Sequence, residues 1–174
     1  MKTIQLTRGQ VALVDDDDFD EVAPFKWHAG KGGRTFYAVR GGAVKISMHR
    51  QLMGFPTLDI DHVNGCGTDN RRANMRLATR SQNLANQRPQ EGRSSRHKGV
   101  HWHKEHRKWT AAFQFQNKRI KLGYFASEVG AAAAYERAAR RLSGEFARVG
   151  TATTSLLFFL ALCLSLPLLA EVTG

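Results

Sequence analysis

The chain has 174 residues, 42% of them hydrophobic, with 26 Lys and Arg against 15 Asp and Glu, a formal net charge of +11 and a pI near 10.3. That length builds one good core or two small ones, and the charge favours a polyanionic partner, nucleic acid ahead of an anionic membrane surface. Two cysteines, Cys66 and Cys163, exclude a disulfide framework and a cysteine zinc site, so free thiols are expected and no structural zinc.

The positive charge is unevenly placed. Residues 1–92 carry 13 basic and 10 acidic side chains, residues 93–150 carry 13 and 4, and beyond them only Glu171 is charged. Met1 to Val14 has no apolar core region of the kind a secretory signal needs, and a cytoplasmic location is expected.

Residues 3–14 alternate apolar and polar around Gly9, which predicts a hairpin. Asp15 to Asp18 lack the ligand spacing of a calcium loop and read as a solvated turn. Phe25, Trp27, Phe36, Tyr37 and Val39, separated by glycines, predict short strands whose aromatic side chains fill a core. Between Ile46 and Met53 the apolar spacing turns helical and places His49 and Arg50 near the segment that follows. Gly54, Pro56 and Thr57 end that helix, and Leu58 to Ile60 lead into Asp61-His62.

The stretch Ile60 to Asn86 holds the residue types that phosphodiester hydrolysis asks for. The reaction needs a deprotonated water, a cation against the charge on the phosphate oxygens, and a fixed line of attack. An imidazole titrates near neutral pH, which suits His62 to take the proton. Asp61 offers a hard oxygen to Mg²⁺ or a similar ion, which keeps several waters and needs few protein ligands. Strand neighbours point to opposite faces, so both serve one site only where the strand ends, and Asn64-Gly65-Cys66-Gly67 supplies that end. Met75 to Thr79 predicts a second strand, and Thr79 or Ser81 caps a helix through Asn83, Leu84 and Asn86 that stops before Pro89. Asn83 projects from its first turn toward the end of the first strand. Asn70, Arg71, Arg72, Arg76 and Arg80 surround the region, and some of these arginines are expected to hold backbone phosphates.

These residues resemble the HNH nucleases, more widely the ββα-metal or His-Me finger nucleases, and within them the phage and intron-associated homing endonucleases. The resemblance runs through MHRQLMG, DHVNG, DNRRANMRLAT and RSQNLAN. It implies His62 as general base, Asp61 and Asn83 as ligands of one Mg²⁺ or Mn²⁺ ion, and Asn74 as the residue that braces the loop and orients the histidine. His49, Asn70 and Arg72 are expected to support the site. Any phage origin would make the location that of a bacterial host cell.

Gln87 to Ser95 is a polar stretch rich in turn formers and holds the linker. Beyond it, GVHWHKEHRKWTAAFQFQNKRIKLGYF shows three alternating runs, and Ala126 to Leu142 has helix-forming composition with an Ala-rich face, followed by Gly144. A three-stranded antiparallel sheet packed on one helix accounts for this economically. The block resembles the AP2 DNA-binding domain through KGVHWHK, KWTAAF, KRIKLGYF, AAAAYERAA and GEFA. That resemblance implies a sheet laid in the major groove, with Lys98, His101, Trp102, Trp109, Gln114, Arg119 and Lys121 as the contact set. His101, Gln114 and Lys121 depart from the residues usual in plant members, so no target sequence is carried over.

Ser155 to Ala170 is nearly all apolar and, with Thr151 to Thr154, about as long as a tilted membrane helix. Pro167 interrupts it and no basic residue follows it. A tail of unrelated origin is preferred to packing on the helix, and packing to a membrane span.

The fold class expected is α+β: a small β-rich region leading into a ββα unit at 58–88, then the sheet and its helix, then the apolar tail. The divisions are a nuclease domain at 1–90, a linker at 91–95, a DNA-binding domain at 96–148 and the tail at 149–174. The function expected is a site-directed endonuclease acting on double-stranded DNA with one metal ion and no small-molecule cofactor. The alternative is a sequence-specific DNA-binding protein whose nuclease unit is inactive.

Overall fold

A computed structural model describes residues 1–41, 44–89 and 91–148. The apolar tail expected at 149–174 lies outside the described residues, and among those described no helix is long and apolar enough to cross a membrane. The architecture is mixed α and β, with four small antiparallel sheets among the described residues.

The alternation over residues 3–14 gives the hairpin β1 (Lys2–Gln5) and β2 (Val11–Val14), turned at Arg8 and Gly9. The acidic run that follows is helix rather than turn: α1 (Asp16–Val22) has three carboxylates in its first turn, where they oppose the positive end of the helix dipole. It is also held from a distance, because Asp15 accepts from the Arg72 backbone N–H at 2.7 Å and Asp18 pairs with the Arg72 guanidinium at 2.8 and 2.9 Å. Local composition did not reveal that partner.

β3 (His28–Gly32), β4 (Thr35–Arg40) and β5 (Ile46–Ser47) form a three-stranded sheet, and β5 runs directly into α2 (Met48–Leu52). Val14, Val22, Trp27, Met48, Leu52, Ile60 and Met75 meet in one buried cluster. Trp27 belongs to it, and its indole N–H is satisfied by the Val22 carbonyl at 2.9 Å. β6 (Asp59–His62) and β7 (Met75–Ala78) pair next, joined by a long loop that ends in a 3₁₀ turn at Arg72–Asn74, and α3 (Arg80–Asn86) follows. Thr79 caps α3 reciprocally with Gln82: the threonine hydroxyl accepts from the Gln82 N–H, and the Gln82 side chain accepts from the Thr79 N–H.

In the C-terminal block, β8 (Val100–His103), β9 (Lys108–Phe115) and β10 (Lys118–Phe125) form a sheet in the order β10-β9-β8, covered by α4 (Glu128–Ser143). Ser127 caps α4 by accepting from Gly130 N–H at 3.0 Å, and Arg140 and Arg141 lie in its last turn. The small side chains of Ala131, Ala132 and Ala139 let the helix lie close over Val100, Ala111 and Phe113. Ala85 of α3 is buried in this same cluster, so α3 packs against both halves of the protein.

Further contacts join the halves. Lys98 donates to the Leu84 and Ala85 carbonyls, both at 2.6 Å, capping the C-terminal end of α3. The Arg76 guanidinium lies 3.9 Å from the Phe146 ring centroid and donates to the Glu145 carbonyl at 3.1 Å. Gln116 N–H donates to Ser81 Oγ at 3.2 Å, and Arg148 N–H to the Ala85 carbonyl at 3.2 Å.

Candidate active site

The β6–β7 register pairs Asp61 with Arg76 and His62 with Met75. Cross-strand partners share a face, so the Asp61 carboxylate meets the Arg76 side chain, whose Nε is 2.9 Å from Oδ2. Asn86 closes over the same carboxylate: its Nδ2 lies 2.9 Å from Oδ1 and 3.0 Å from Oδ2, and 2.8 Å from the His62 carbonyl. The structure thus brings Asn86, not Asn83, against Asp61. Asn83 donates instead to Asp59 at 3.3 Å. The two asparagines lie three residues apart on α3 and therefore on one face, and both line a cavity of about 410 Å³ together with Asp61 and His62.

His62 turns to the other face of β6. Its ring packs on Tyr37 of β4 (centroids 5.8 Å apart) and on His49 of α2 (5.2 Å), and Tyr37 also touches His49 at 5.5 Å. Burial pushes the His62 pKa below its ordinary value. The Asn70 carboxamide and the Asp61 and Asp69 carboxylates pull it the other way without cancelling the effect. His49 is pushed down to about 4, by burial first and then by His62 and Arg50. Both imidazoles are therefore neutral at pH 7. Among the described residues, His62 Nε2, His49 Nδ1 and Asn70 Oδ1 are buried without a hydrogen-bond partner.

The loop after His62 is rigidly tied. Asn74 is buried; its Oδ1 accepts from Asn64 N–H at 3.0 Å and its Nδ2 donates to the Asp69 carbonyl at 2.8 Å, so one side chain joins the two ends of the turn. It braces the loop and makes no direct bond to the imidazole. Asp69, unremarked in the sequence, accepts from Asn64 Nδ2 and, at 2.7 Å on each oxygen, from Arg71, which holds its carboxyl below the usual range. Leu13 exchanges backbone bonds with Thr68 and Asn70, fixing the loop to β2. Asn70 is fully buried. At Gly67 a Cβ would lie 2.5 Å from the Tyr37 ring and 2.6 Å from the Phe36 carbonyl, so only glycine lets the loop lie this close to β4.

The arginines around this unit are committed elsewhere. Arg71 pairs with Asp69, Arg72 with Asp18, Arg76 with Asp61, and Arg80 with Asp59 at 3.7 Å. Each is paired with a carboxylate that no sequence pattern linked to it, and Arg72 anchors α1 through Asp18. The arginines that line the cavity are Arg34, Arg88 and Arg148. Arg34 donates to the Arg88 and Pro89 carbonyls, holding the start of the linker.

Strand register also sorts the expected DNA contacts. His101 pairs with Thr110, Gln114 with Arg119, and Ala112 with Lys121, which puts His101, Gln114, Arg119 and Lys121 on one face of the sheet with His103, Lys108 and Tyr124. Trp102 and Trp109 pair with each other on the opposite face, that of Val100 and Ala111, with rings edge to face at 5.3 Å. They stand at one end of the core rather than on the His101 face. Lys98 is the clear departure: it is half-buried, burial and the nearby Arg148 cation push its pKa down to about 8, and its ammonium group is spent on α3.

No family model matches the chain, and no solved structure matches it. A protein of Acanthamoeba polyphaga mimivirus, named as an uncharacterised HNH endonuclease, is 29% identical over 147 residues, which cover 80% of this chain and 74% of that protein. The likeness is distant, and it spans both halves of the chain.

Proposed function

We propose that the protein is an HNH-type endonuclease that hydrolyses phosphodiester bonds in double-stranded DNA. The observation that carries this is the buried, unpartnered Nε2 of His62, on a residue that lines a cavity with Asp61, Asn86 and three arginines. A neutral imidazole can take a proton from an attacking water, and His62, biased by the nearby Asn70 carboxamide, is the imidazole placed to do so. Tyr37 and His49 wall the imidazole and exclude competing solvent.

One divalent ion suits the oxygens present. Among the described residues no three His, Cys, Asp or Glu side chains gather as a cage, and hard ions of the Mg²⁺ kind bind through one or two protein oxygens with water and phosphate completing the shell. Asp61 with the Asn86 carboxamide oxygen, and Asn83 beside them, would hold Mg²⁺ or Mn²⁺. When bound, the ion supplies positive charge against the phosphate oxygens.

The face bearing His101, Gln114, Arg119 and Lys121 is the second element of the reading. A sheet face with alternating cationic and amide side chains suits a major groove, whose base edges they can read and whose phosphates they can neutralise. The C-terminal block at 96–148 is proposed to choose the target in this way, in the manner of an AP2 domain.

A second reading has one observation in its favour. Asp61 already accepts from Arg76 and Asn86 on both oxygens, as a purely structural carboxylate does. The protein would then bind DNA and not cut it. Incubation with supercoiled plasmid and Mg²⁺ separates the two: nicked or linear product that disappears in His62→Ala supports the nuclease, and intact plasmid with both proteins rejects it.

A further inference from the structure

We infer that Arg148, which follows the last helix of the C-terminal block, is a phosphate-binding residue of the nuclease centre, so that the C-terminal block completes the active site. The inference rests on the nuclease reading and adds to it a catalytic group from the other half of the chain.

Three observations place the side chain. The backbone of Arg148 is fixed to α3 by its bond to the Ala85 carbonyl, one residue before Asn86. Its guanidinium then crosses to the loop that follows His62, where Nη2 donates to the Asn64 carbonyl at 2.9 Å. The next residue, Gly65, has φ of +73°, and a Cβ there would lie 3.0 Å from Arg148 Nη1. The guanidinium thus lies against this turn, and Arg148 lines the same cavity as Asp61 and His62.

Its electrostatics differ from those of the four arginines around β6 and β7. Arg71, Arg72, Arg76 and Arg80 all have carboxylate partners, whereas among the described residues Arg148 has none within ion-pair distance. Burial and the Arg88 cation disfavour its charge, and Asp61 offsets them only in part. One carbonyl occupies one of the five guanidinium N–H donors, which leaves donors for an anion at the cavity. A phosphodiester oxygen meets that demand, and the charge that builds on it during hydrolysis meets it better.

The test uses the full chain and compares Arg148→Gln, Arg148→Ala and His62→Ala with wild type, measuring single-turnover plasmid cleavage, duplex binding by anisotropy, and thermal melting. Glutamine carries no charge and ends two bonds short of the guanidinium nitrogens, so thermal melting of each variant reports any structural role lost with the side chain. The expected result is a cleavage rate about 100-fold lower in Arg148→Gln and in Arg148→Ala, with melting and duplex affinity close to wild type. Free guanidinium at sub-denaturing concentration should restore part of the rate to Arg148→Ala and none to His62→Ala. If Arg148→Gln cleaves like wild type while His62→Ala is inactive, the role of Arg148 is refuted and the nuclease reading stands. If affinity falls as far as rate, Arg148 is an ordinary DNA contact and the inference also fails. If wild type leaves the plasmid intact, the nuclease reading fails and takes the inference with it.

Discussion

The Asn86 carboxamide nitrogen bridges both oxygens of Asp61 and the carbonyl of His62, so one side chain ties the end of α3 to the last two residues of β6. All of these groups are buried, and removing one partner leaves a desolvated carboxylate short of donors. Asn86→Ala is expected to cost about 2–3 kcal/mol and to abolish cleavage. Asn83→Ala removes a single long bond to Asp59 and should cost less than about 1 kcal/mol. Urea denaturation with a plasmid assay on both variants checks the ranking, and the reverse order would show that the first asparagine, not the second, serves Asp61.

Lys98 and Arg119 are expected to separate two kinds of basic residue. Lys98 caps α3, so Lys98→Ala should lower stability by about 2 kcal/mol and leave the salt dependence of DNA binding unchanged. Arg119→Ala should leave stability alone and reduce the slope of log K against log salt by about one. A reduced slope in Lys98→Ala would mean that its ammonium group reaches DNA after all.

Arg76 and Asp61 form the most enclosed ion pair of the nuclease half. Arg76→Met leaves Asp61 buried and undercompensated, at a cost of about 3 kcal/mol, and Asp61→Asn in the same chain should recover part of it. A double-mutant cycle from denaturation midpoints reads this directly. Additive losses would mean that the pair is uncoupled.

His49 makes stability depend on pH. Folding lowers its pKa from 6.5 to about 4, so the unfolded chain binds that proton more readily. The stability is fully present above pH 6.5 and is lost as pH falls toward about 4, by up to about 3 kcal/mol. His62 shifts in the same direction and adds to the loss. His49→Phe should flatten the profile of melting temperature over this window, and an unchanged slope would put the acid sensitivity elsewhere.

Much of the chain was legible because its signals are local. Alternation located the β1–β2 hairpin and the three C-terminal strands, and two candidate caps, Thr79 and Ser81, bracketed the start of α3, which the structure places at Thr79. The Asp61-His62 pair and the strand end at the Asn64 turn follow from residue type and order, and the Asn74 brace from the resemblance to HNH nucleases. What was hidden depends on distant partners. Asp15 and Asp18 became part of a helix system because Arg72 meets them across the fold, and neither segment records the other. Lys98 reads as a DNA contact by type and is spent on α3 because of where that helix ends. Trp102 and His101 were expected in one contact set, and the strand register places them on opposite faces of the sheet. Asn83 and Asn86 share a helix face, and only packing decides which reaches Asp61. Arg148 lies 86 residues from His62 in the chain and carried no sequence signal at all.

The cap that Lys98 places on α3 bears on how such a chain can be recombined. A fusion made at residue 90, where composition suggests a seam, would separate the helix bearing Asn86 from the residue that satisfies its last carbonyls, and would uncover Ala85. A transplanted nuclease half would arrive with a frayed helix at its reactive centre. An exchange that keeps Lys98 and Arg148 with the nuclease half would preserve it. The unit of inheritance here therefore extends past the linker, and a new specificity has to be grafted onto the outer face of the existing sheet.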